Sequence, residues 1–563
     1  MKRCSENQEC PHFPPRLRES YELIVAGGGI YGAAVAWEAA SRGLRTLLLE
    51  ADDFGSGTSA NSLRTIHGGI RYLQTLDVPR MRASVRERRA LLRIAPHLVR
   101  PLECVMPAYR GSGKSALALR AGLGLNDLLS ADRNLGVAGE RRIPAGKLIS
   151  AQMLRAKAPA LRDDRITGGA RWFDAQAHDA ERLVLSFVMS AVSAGADALN
   201  HCAVTGLVMK DGRVSGVRAF DQRSGAAMEI GAEAVIDCTG PWAGSLEWYP
   251  QQEPVRRQPW ARGMNLVLRR RVADCALGVL PAAPPAAPGR LLFVAPWREG
   301  CVAGTWYYPD DDGPDALQPD AAEVEAALAQ LDGVMPDLHL DIDDVTQVHL
   351  GLLPATGREE HSEPELESSY RLVAAAGSGA PRGLYVISGV KYTTARQVAE
   401  CAIDRVVRDA ELNAGQSVSA RTPLYGADFR AGPDAYLDSA RRRYGARLSE
   451  DAVQRMVSHY GSRLDRIMAL ADGAPALAEA VPGCPLAIRA ELEHAIAEEM
   501  AWNLRDLLLR RTGIASFALP ARETVDFAAG FMAARLGWDE ARGRHEIQAL
   551  EERFPAWQRT EQD

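Results

Sequence analysis

Two glycine-rich strings near the start of the chain hold residues whose types and spacing suit redox chemistry. The first is Gly27-Gly28-Gly29-Ile30-Tyr31-Gly32, directly after the apolar run Leu23-Ile24-Val25-Ala26. The second is Gly55-Ser56-Gly57-Thr58-Ser59, followed by His67-Gly68-Gly69-Ile70-Arg71-Tyr72. The first points to a bound dinucleotide. The second narrows the kind of dinucleotide and sets a histidine and an arginine near its reactive ring.

A GxGxxG string alone says little, but here its context is complete. The apolar run predicts a strand, residues 30–42 predict a helix, and residues 46–49 predict a second strand ending in Glu50. Glu50 stands near the spacing of a ribose-binding acid. Gly27 allows the tight turn, Gly29 lets the backbone approach a pyrophosphate, and Gly32 lets helix pack on strand. Free N–H groups at the helix start then face the phosphates. Glu50 favours a free ribose 2′-hydroxyl, as in FAD or NAD, over the 2′-phosphate of NADP. Residues 52–62 form a loop rich in Gly, Ser and Thr rather than a second nucleotide-binding half, which favours FAD.

These groups need a large soluble scaffold. At 563 residues the chain predicts about two or three domains. Its formal charge of −6 argues against nucleic acid as a partner. The nine cysteines are scattered without a C-x-x-C pair, as expected of reduced thiols in a cytoplasmic protein. Cys4, Cys10 and His12 fit no zinc spacing, so no metal is expected. Residues 1–20 read as a disordered tail without an apolar signal-peptide core. No apolar run reaches about 18 residues, which leaves peripheral contact with the inner face of a membrane as the membrane option. The string Arg110-Gly111-Ser112-Gly113-Lys114-Ser115 imitates a phosphate loop but lacks its leading glycine, and reads as a loop into a helix over residues 115–129.

The remaining pattern is α/β: a Rossmann-type FAD-binding domain interleaved with a β-rich substrate domain, followed by a C-terminal helical domain. Helices are expected over residues 79–94, 180–194 and 395–409. Residues 171–179 read as a polar loop carrying aromatics. Strands over 203–209, 214–220 and 227–230 form a meander, and 234–238 is a separate buried strand. Residues 266–305 are β-rich, with a surface loop over 281–288. Residues 434–554 read as almost wholly helical. The FAD part is placed at about 21–80, 150–245 and 345–413. The substrate part is placed at about 81–149 and 246–344, with a linker over 414–430 and the helical domain over 431–563.

In order, the dinucleotide string, Gly57-Thr58-Ser59, His67-Gly68-Gly69-Ile70-Arg71-Tyr72, Thr239-Gly240-Pro241-Trp242 and Gly389-Val390-Lys391-Tyr392-Thr393-Thr394 resemble the FAD-dependent glycerol-3-phosphate dehydrogenases of the D-amino-acid-oxidase-like superfamily. In the C-terminal part Tyr460-Gly461, Ala497-Glu498-Glu499, Arg510-Arg511-Thr512 and Leu536-Gly537-Trp538-Asp539 extend the likeness. The resemblance implies hydride transfer from C2 of glycerol 3-phosphate to flavin N5, giving dihydroxyacetone phosphate, with the electrons passed to a quinone. It implies a small anionic substrate and leaves a homodimer open.

It also implies FAD contacts at Gly27, Gly29, Ile30, Tyr31, Gly32, Glu50, Ala51, Gly57, Thr58, Ser59, His67, Gly68, Gly69, Val204, Thr239, Gly240, Trp242, Gly389, Lys391, Tyr392 and Thr393. Substrate contacts are implied at Arg71, Tyr72, Arg262, Thr305 and Lys391, with His67, Arg71 and Lys391 as the catalytic set. His67 would take the hydroxyl proton, since imidazole titrates near working pH; its alternative is a hydrogen bond to flavin or nearby backbone. Arg71 would grip the phosphate with its planar fork, or else pair with an acid. Lys391 would bind the anion or steady the reduced flavin, or else stand on the surface. Thr393 and Thr394 would cap the following helix, whose start would face the flavin pyrimidine.

Three strings depart from the family pattern. Its Gly-x-Arg-Pro reads Gly351-Leu352-Leu353-Pro354, its Gly-Thr-Thr-Asp reads Gly304-Thr305-Trp306-Tyr307, and its Lys-Gly-Ser-His reads Arg262-Gly263-Met264-Asn265. One lost charge-assisted contact to a phosphate costs about 1.5–3 kcal/mol. Arg262, or Arg396 if it faces inward, would compensate. Otherwise Trp306 and Tyr307 would wall a site for a larger or less charged molecule. The alternatives are a same-fold oxidoreductase of another hydroxy acid, alcohol or amine, and an assembly protein without catalysis.

Overall fold

A computed structural model describes residues 17–110, 116–243, 259–281, 291–357, 364–374 and 381–559. The tail with Cys4, Cys10 and His12 (residues 1–16), the phosphate-loop imitation at 111–115 and the expected surface loop from residue 282 onward lie outside the described residues.

The first sheet is built around the strand Ser20–Ala26, which pairs in parallel with Thr46–Leu49 on one side and Ala226–Asp237 on the other. Asp197–Leu199 and Leu384–Ser388 extend it in parallel at either side. Four of the strand's seven residues run without a break as Leu23-Ile24-Val25-Ala26, all fully buried, as expected of a parallel strand covered on both faces. The helix Ile30–Ser41 follows the glycine turn and lies under the helices Ala180–Ser193 and Ala395–Asp409. Its buried face is rich in alanine (Ala33, Ala36 and Ala40 among others), and small side chains bring the helix axes close.

The last strand of the expected meander and the separate strand after it are one element. Ala226–Asp237 pairs antiparallel with Arg213–Asp221 in its first half and parallel with Ser20–Ala26 in its second. The hairpin Cys202–Lys210/Arg213–Asp221 is attached through it.

The second sheet runs, in spatial order, Glu365–Leu366, Val345–Gly357, Trp260–Leu268, Gly300–Asp310, Leu292–Trp297, Ala276–Val279, Val99–Tyr109, Ile166–Ala177 and Thr65–Ile66. Residues 171–179, expected as a loop, instead complete the strand Ile166–Ala177. Arg171 and Phe173 alternate with buried Ala170, Trp172 and Asp174, and the polar Arg171, Asp174 and Gln176, two of them buried, disguised the strand. Ile166–Ala177 and Val345–Gly357 both belong to this sheet, although their sequence neighbourhoods were assigned to the FAD part.

The C-terminal part holds the helices Pro433–Tyr444, Glu450–Tyr460, Leu464–Gly473, Arg489–Glu498, Arg522–Leu536 and Glu540–Glu551. The hairpin Ala480–Val481/Cys484–Ile488 departs from a helical reading, and the turn Asp506–Arg511 is π-helical rather than α-helical. Residues 414–430 are laid onto the first domain, with Leu424 N–H donating to the Ile94 carbonyl and Tyr425 N–H to Ser190 Oγ. No helix among the described residues is long and apolar enough to cross a membrane.

Candidate functional site

A cleft of about 2440 Å³ runs between the two sheets, starting at the glycine turn. Gly27, at φ +97°, has no room for a side chain: a Cβ there would stand 2.6 Å from the Cys238 carbonyl oxygen. Gly32 packs its Cα against the Gly27 carbonyl, which brings helix onto turn but leaves Gly32 beneath the cleft rather than on its wall. Ile30 N–H at the helix start donates to Ser59 Oγ (3.0 Å), tying the second glycine string to the first. Thr58 Oγ1 donates to the Leu352 carbonyl (3.2 Å), tying that string to the second sheet.

Glu50 accepts from Gly28 N–H at 2.5 Å and Asp52 N–H at 2.8 Å. Burial pushes its carboxyl up to about 7 in spite of those two donors. Ala51, Val204, Thr239, Gly240 and Trp242 border the same end of the cleft. At the far end Tyr31 Oη donates to the Lys391 carbonyl (3.1 Å), beside Gly389.

His67 and the residues after it form the floor. His67 N–H donates to Thr393 Oγ1 at 3.3 Å. Its Nδ1 is buried and has no hydrogen-bond partner. Burial, then the charge of Arg71, push the imidazole down to about 4, so it is neutral at ordinary pH. Gly68 is turned away from the cleft and gives its N–H to Asp174, whose other partners are Arg88 Nη1 (2.7 Å) and Trp172 Nε1 (3.0 Å). Gly69 takes φ +79° and starts the 3₁₀ turn Ile70–Thr75 that presents Arg71 and Tyr72.

Arg71 Nη2 lies 3.3 Å from Tyr72 Oη, and Lys391 Nζ sits 4.7 Å from the Tyr72 ring centre. Burial would raise the Tyr72 hydroxyl, but Arg71 and Lys391 outweigh it and hold it below its usual value. Burial lowers the Lys391 ammonium in turn. Lys391 Nζ also donates to the Ser368 carbonyl (3.2 Å).

Several sequence expectations are corrected. Thr394 makes no side-chain cap to the helix Ala395–Asp409, and the Thr393 hydroxyl serves His67 instead. Arg262 is off the cleft, paired with Glu323 at 2.6 Å and stacked over Tyr308. Arg396 is buried elsewhere against Glu87 (2.6 Å) and Ser419. Trp306 points into the core of the second sheet, bonded to Gln330, whereas Tyr307 borders the cleft. Strand parity explains the set: Gly263 stands opposite Tyr307, facing the cleft, while Arg262–Tyr308 and Met264–Trp306 face the other way. Gly263, Thr305, Tyr307 and Leu353 make an uncharged wall, and Thr305 Oγ1 donates to Asn265 Oδ1 (2.7 Å).

The sequence reading missed the ionic supports behind the site. Asp53 is fully buried and held bidentately by Arg511 (2.6 and 2.7 Å), with Arg510 at its side. Burial would raise its carboxyl, yet both guanidiniums hold it well below the usual range. Asp53, His201 and Asp506 are the one group of metal-type ligands that converges among the described residues, and arginines occupy its charges. The Arg510-Arg511-Thr512 string was the available signal, but nothing local connects it to Asp53.

A pocket of these dimensions, with a side-chain-free turn at a helix start, the buried acid Glu50 beside it and a buried imidazole Nδ1 left without a partner, fits FAD. Comparison with known proteins agrees. Residues 22–405 match the family model described as FAD dependent oxidoreductase, and residues 417–543 match that of the C-terminal domain of alpha-glycerophosphate oxidase. The chain is 34% identical to a glycerol-3-phosphate dehydrogenase of Synechocystis sp., covering 90% of each. It is 28% identical to the aerobic glycerol-3-phosphate dehydrogenase of Bacillus subtilis, covering 94% of each. Its fold is similar to that of the Bacillus halodurans glycerol-3-phosphate dehydrogenase complexed with FAD (TM-score 0.74, 24% identity, 95% of this chain and 94% of that one).

Proposed function

The chain belongs to the FAD-dependent glycerol-3-phosphate dehydrogenase family of the D-amino-acid-oxidase-like flavoproteins, and on that footing we propose that it oxidises glycerol 3-phosphate at C2 to dihydroxyacetone phosphate and passes the electrons to a quinone. FAD, when bound, supplies the acceptor for the C2 hydrogen and its electron pair. The chain supplies the rest. Arg71 and Lys391 draw the phosphate to the cleft mouth, because a guanidinium fork and an ammonium are strong donors to an anion. His67, neutral and with Nδ1 unengaged, takes the hydroxyl proton as the C2–H bond breaks. Thr393 and Asp174 fix the backbone on either side of that imidazole.

The observation that carries this reading is the juxtaposition of a neutral buried imidazole with two cations around Tyr72. The quinone assignment is supported by an apolar cluster that borders the cleft, Leu102, Met106, Leu119, Leu123, Trp172 and Phe293. One observation favours a second reading. The uncharged wall of Gly263, Thr305, Tyr307 and Leu353 suits a less charged hydroxy acid, alcohol or amine.

Anaerobic titration separates the two. Bleaching of the purified flavoprotein by glycerol 3-phosphate at concentrations where glycerol and simple amines leave the spectrum unchanged is the expected result. Bleaching by glycerol or by simple amines, with none by glycerol 3-phosphate, overturns it.

A further inference from the structure

Tyr72 is clasped by three cations rather than two. Lys391 Nζ, Arg80 Cζ and Arg71 Cζ lie 4.7, 5.1 and 5.2 Å from its ring centre. All four residues border the cleft, as do Leu353 and Tyr307. Arg80 is placed there by its helix: Asp77 caps Val78–Ile94 by accepting Arg80 N–H at 3.1 Å, which fixes Arg80 in the first turn.

The charges around this mouth do not balance. The Arg80 guanidinium has Asp77 at 3.1 Å, but both side chains are 30% exposed, so water screens the pair. Glu367, which also borders the cleft, is taken by Arg371, and Glu365, the other acid of that segment on the cleft, is exposed to water and screened. Asp174 is taken by Arg88. Three like charges around one ring repel one another, and Arg80 and Arg71 both depress the Lys391 ammonium beyond what burial does. An anion carrying two charges, with oxygens to spare for several donors, relieves this arrangement. A phosphate monoester is such an anion.

We propose, on the anionic-substrate reading given above, that Arg80 is a third anion-binding residue that closes on the substrate phosphate together with Arg71 and Lys391. It supplies from the α-helical side of the cleft the positive charge that Leu353 does not supply from the sheet. Specificity for a phosphorylated substrate then lies in the segment 71–80 and Lys391, and the sheet wall is free to be uncharged.

The test uses the FAD-loaded full-length protein and two probes, glycerol 3-phosphate and inorganic phosphate. Arg80→Ala should raise KM for glycerol 3-phosphate about tenfold or more, while kcat and FAD content stay within about twofold. The dissociation constant for inorganic phosphate, read from the perturbed flavin spectrum, should rise in parallel. Arg80→Lys, which keeps the charge and loses the fork, should fall between. Asp77→Asn keeps a cap acceptor and removes the competing carboxylate, so it should tighten phosphate binding. A structural Arg80–Asp77 pair makes the opposite prediction, with Asp77→Asn weakening phosphate as much as Arg80→Ala. That result, or an unchanged phosphate constant in Arg80→Ala, overturns the proposal. Phosphate binding that depends on Arg80 in a protein that glycerol 3-phosphate does not bleach would sink the substrate reading and leave Arg80 standing.

Discussion

Asp174 and Arg88 form a buried ion pair, Oδ1 to Nη1 at 2.7 Å, directly behind the loop that carries His67. The same carboxylate takes Gly68 N–H and Trp172 Nε1–H, so one side chain joins a helix, a strand and the loop that carries His67. A side chain on Gly68 would run into the Arg88 guanidinium. The floor of the site is thus set by an electrostatic contact made from elements distant in sequence.

Asp174→Asn leaves Arg88 buried without its counter-charge while keeping an acceptor for Gly68. Removing one partner of a buried pair costs about 3 kcal/mol or more. The urea midpoint of the variant should fall accordingly, and flavin reduction by substrate should slow because the imidazole loses its fixed backing. A variant as stable as the parent would show that Arg88 finds another partner.

The parts of this molecule that could be read from sequence are those fixed by local spacing. The glycine turn, the helix after it, Glu50 and the His67–Tyr72 string are each decided within a few residues, and each borders or underlies the cleft. What could not be read depends on parity and on distance. Arg262 and Trp306 fell on the wrong face because Gly263 and Tyr307 take the cleft side, which turns Arg262, Met264, Trp306 and Tyr308 away from it. In a strand a one-residue error turns every side chain over. Asp174, Asp53 and Arg511 escaped because their partners lie 86 to 458 positions away. Such pairs carry no signal in a single sequence.

The depressed imidazole of His67 sets a pH dependence. In the unfolded chain histidine titrates near about 6.5, whereas here burial and Arg71 push it down to about 4. The unfolded state therefore takes up the proton first as pH falls. The stability tied to neutral His67 is complete above pH 6.5 and is lost progressively toward about pH 4. In catalysis the acid limb of kcat/KM assigned to His67 should lie well below neutrality. A bound phosphate dianion offsets Arg71, so the limb in kcat should stand at higher pH than the limb in kcat/KM. Arg71→Gln should move the kcat/KM limb upward too. Coincident limbs in the parent and the variant would remove His67 from the role of proton acceptor.

Asp53 ties the loop after Glu50 to the C-terminal region. It sits three residues after Glu50 and two before Gly55, and its carboxylate is held from the π-helical turn Asp506–Arg511. Asp53→Asn should cost about 3 kcal/mol, since it strands Arg511 in a fully buried position. It should also raise the dissociation constant for FAD, measured by the fluorescence of released flavin, about tenfold. Glu50→Gln should weaken FAD as well but leave the apoprotein's unfolding midpoint nearly unchanged, because neither Glu50 oxygen carries an ion pair. Equal loss of stability in the two variants would mean that Asp53 acts on the whole fold and not on the cofactor loop.

Leu353 offers the sharpest test of how the substrate wall is built. Its side chain lies beside Gly263, where a Cβ would meet Leu353 Cδ1 at 3.5 Å, and it borders the cleft near Tyr307. Leu353→Arg restores the family's arginine at that point. Among the described residues Gly263, Thr305 and Tyr307 around it carry no charge and Glu367 is taken by Arg371, so the new guanidinium is available to an anion. One charge-assisted contact is worth about 1.5–3 kcal/mol, so KM for glycerol 3-phosphate should fall about tenfold or more, with any activity on glycerol unchanged or lower. The gain should shrink in the Arg80→Ala background if the two arginines reach the same phosphate, and stay whole if they reach different parts of the substrate. A rise in KM in Leu353→Arg would show that the uncharged wall is itself the specificity device, shaped for a substrate less charged than a phosphate ester.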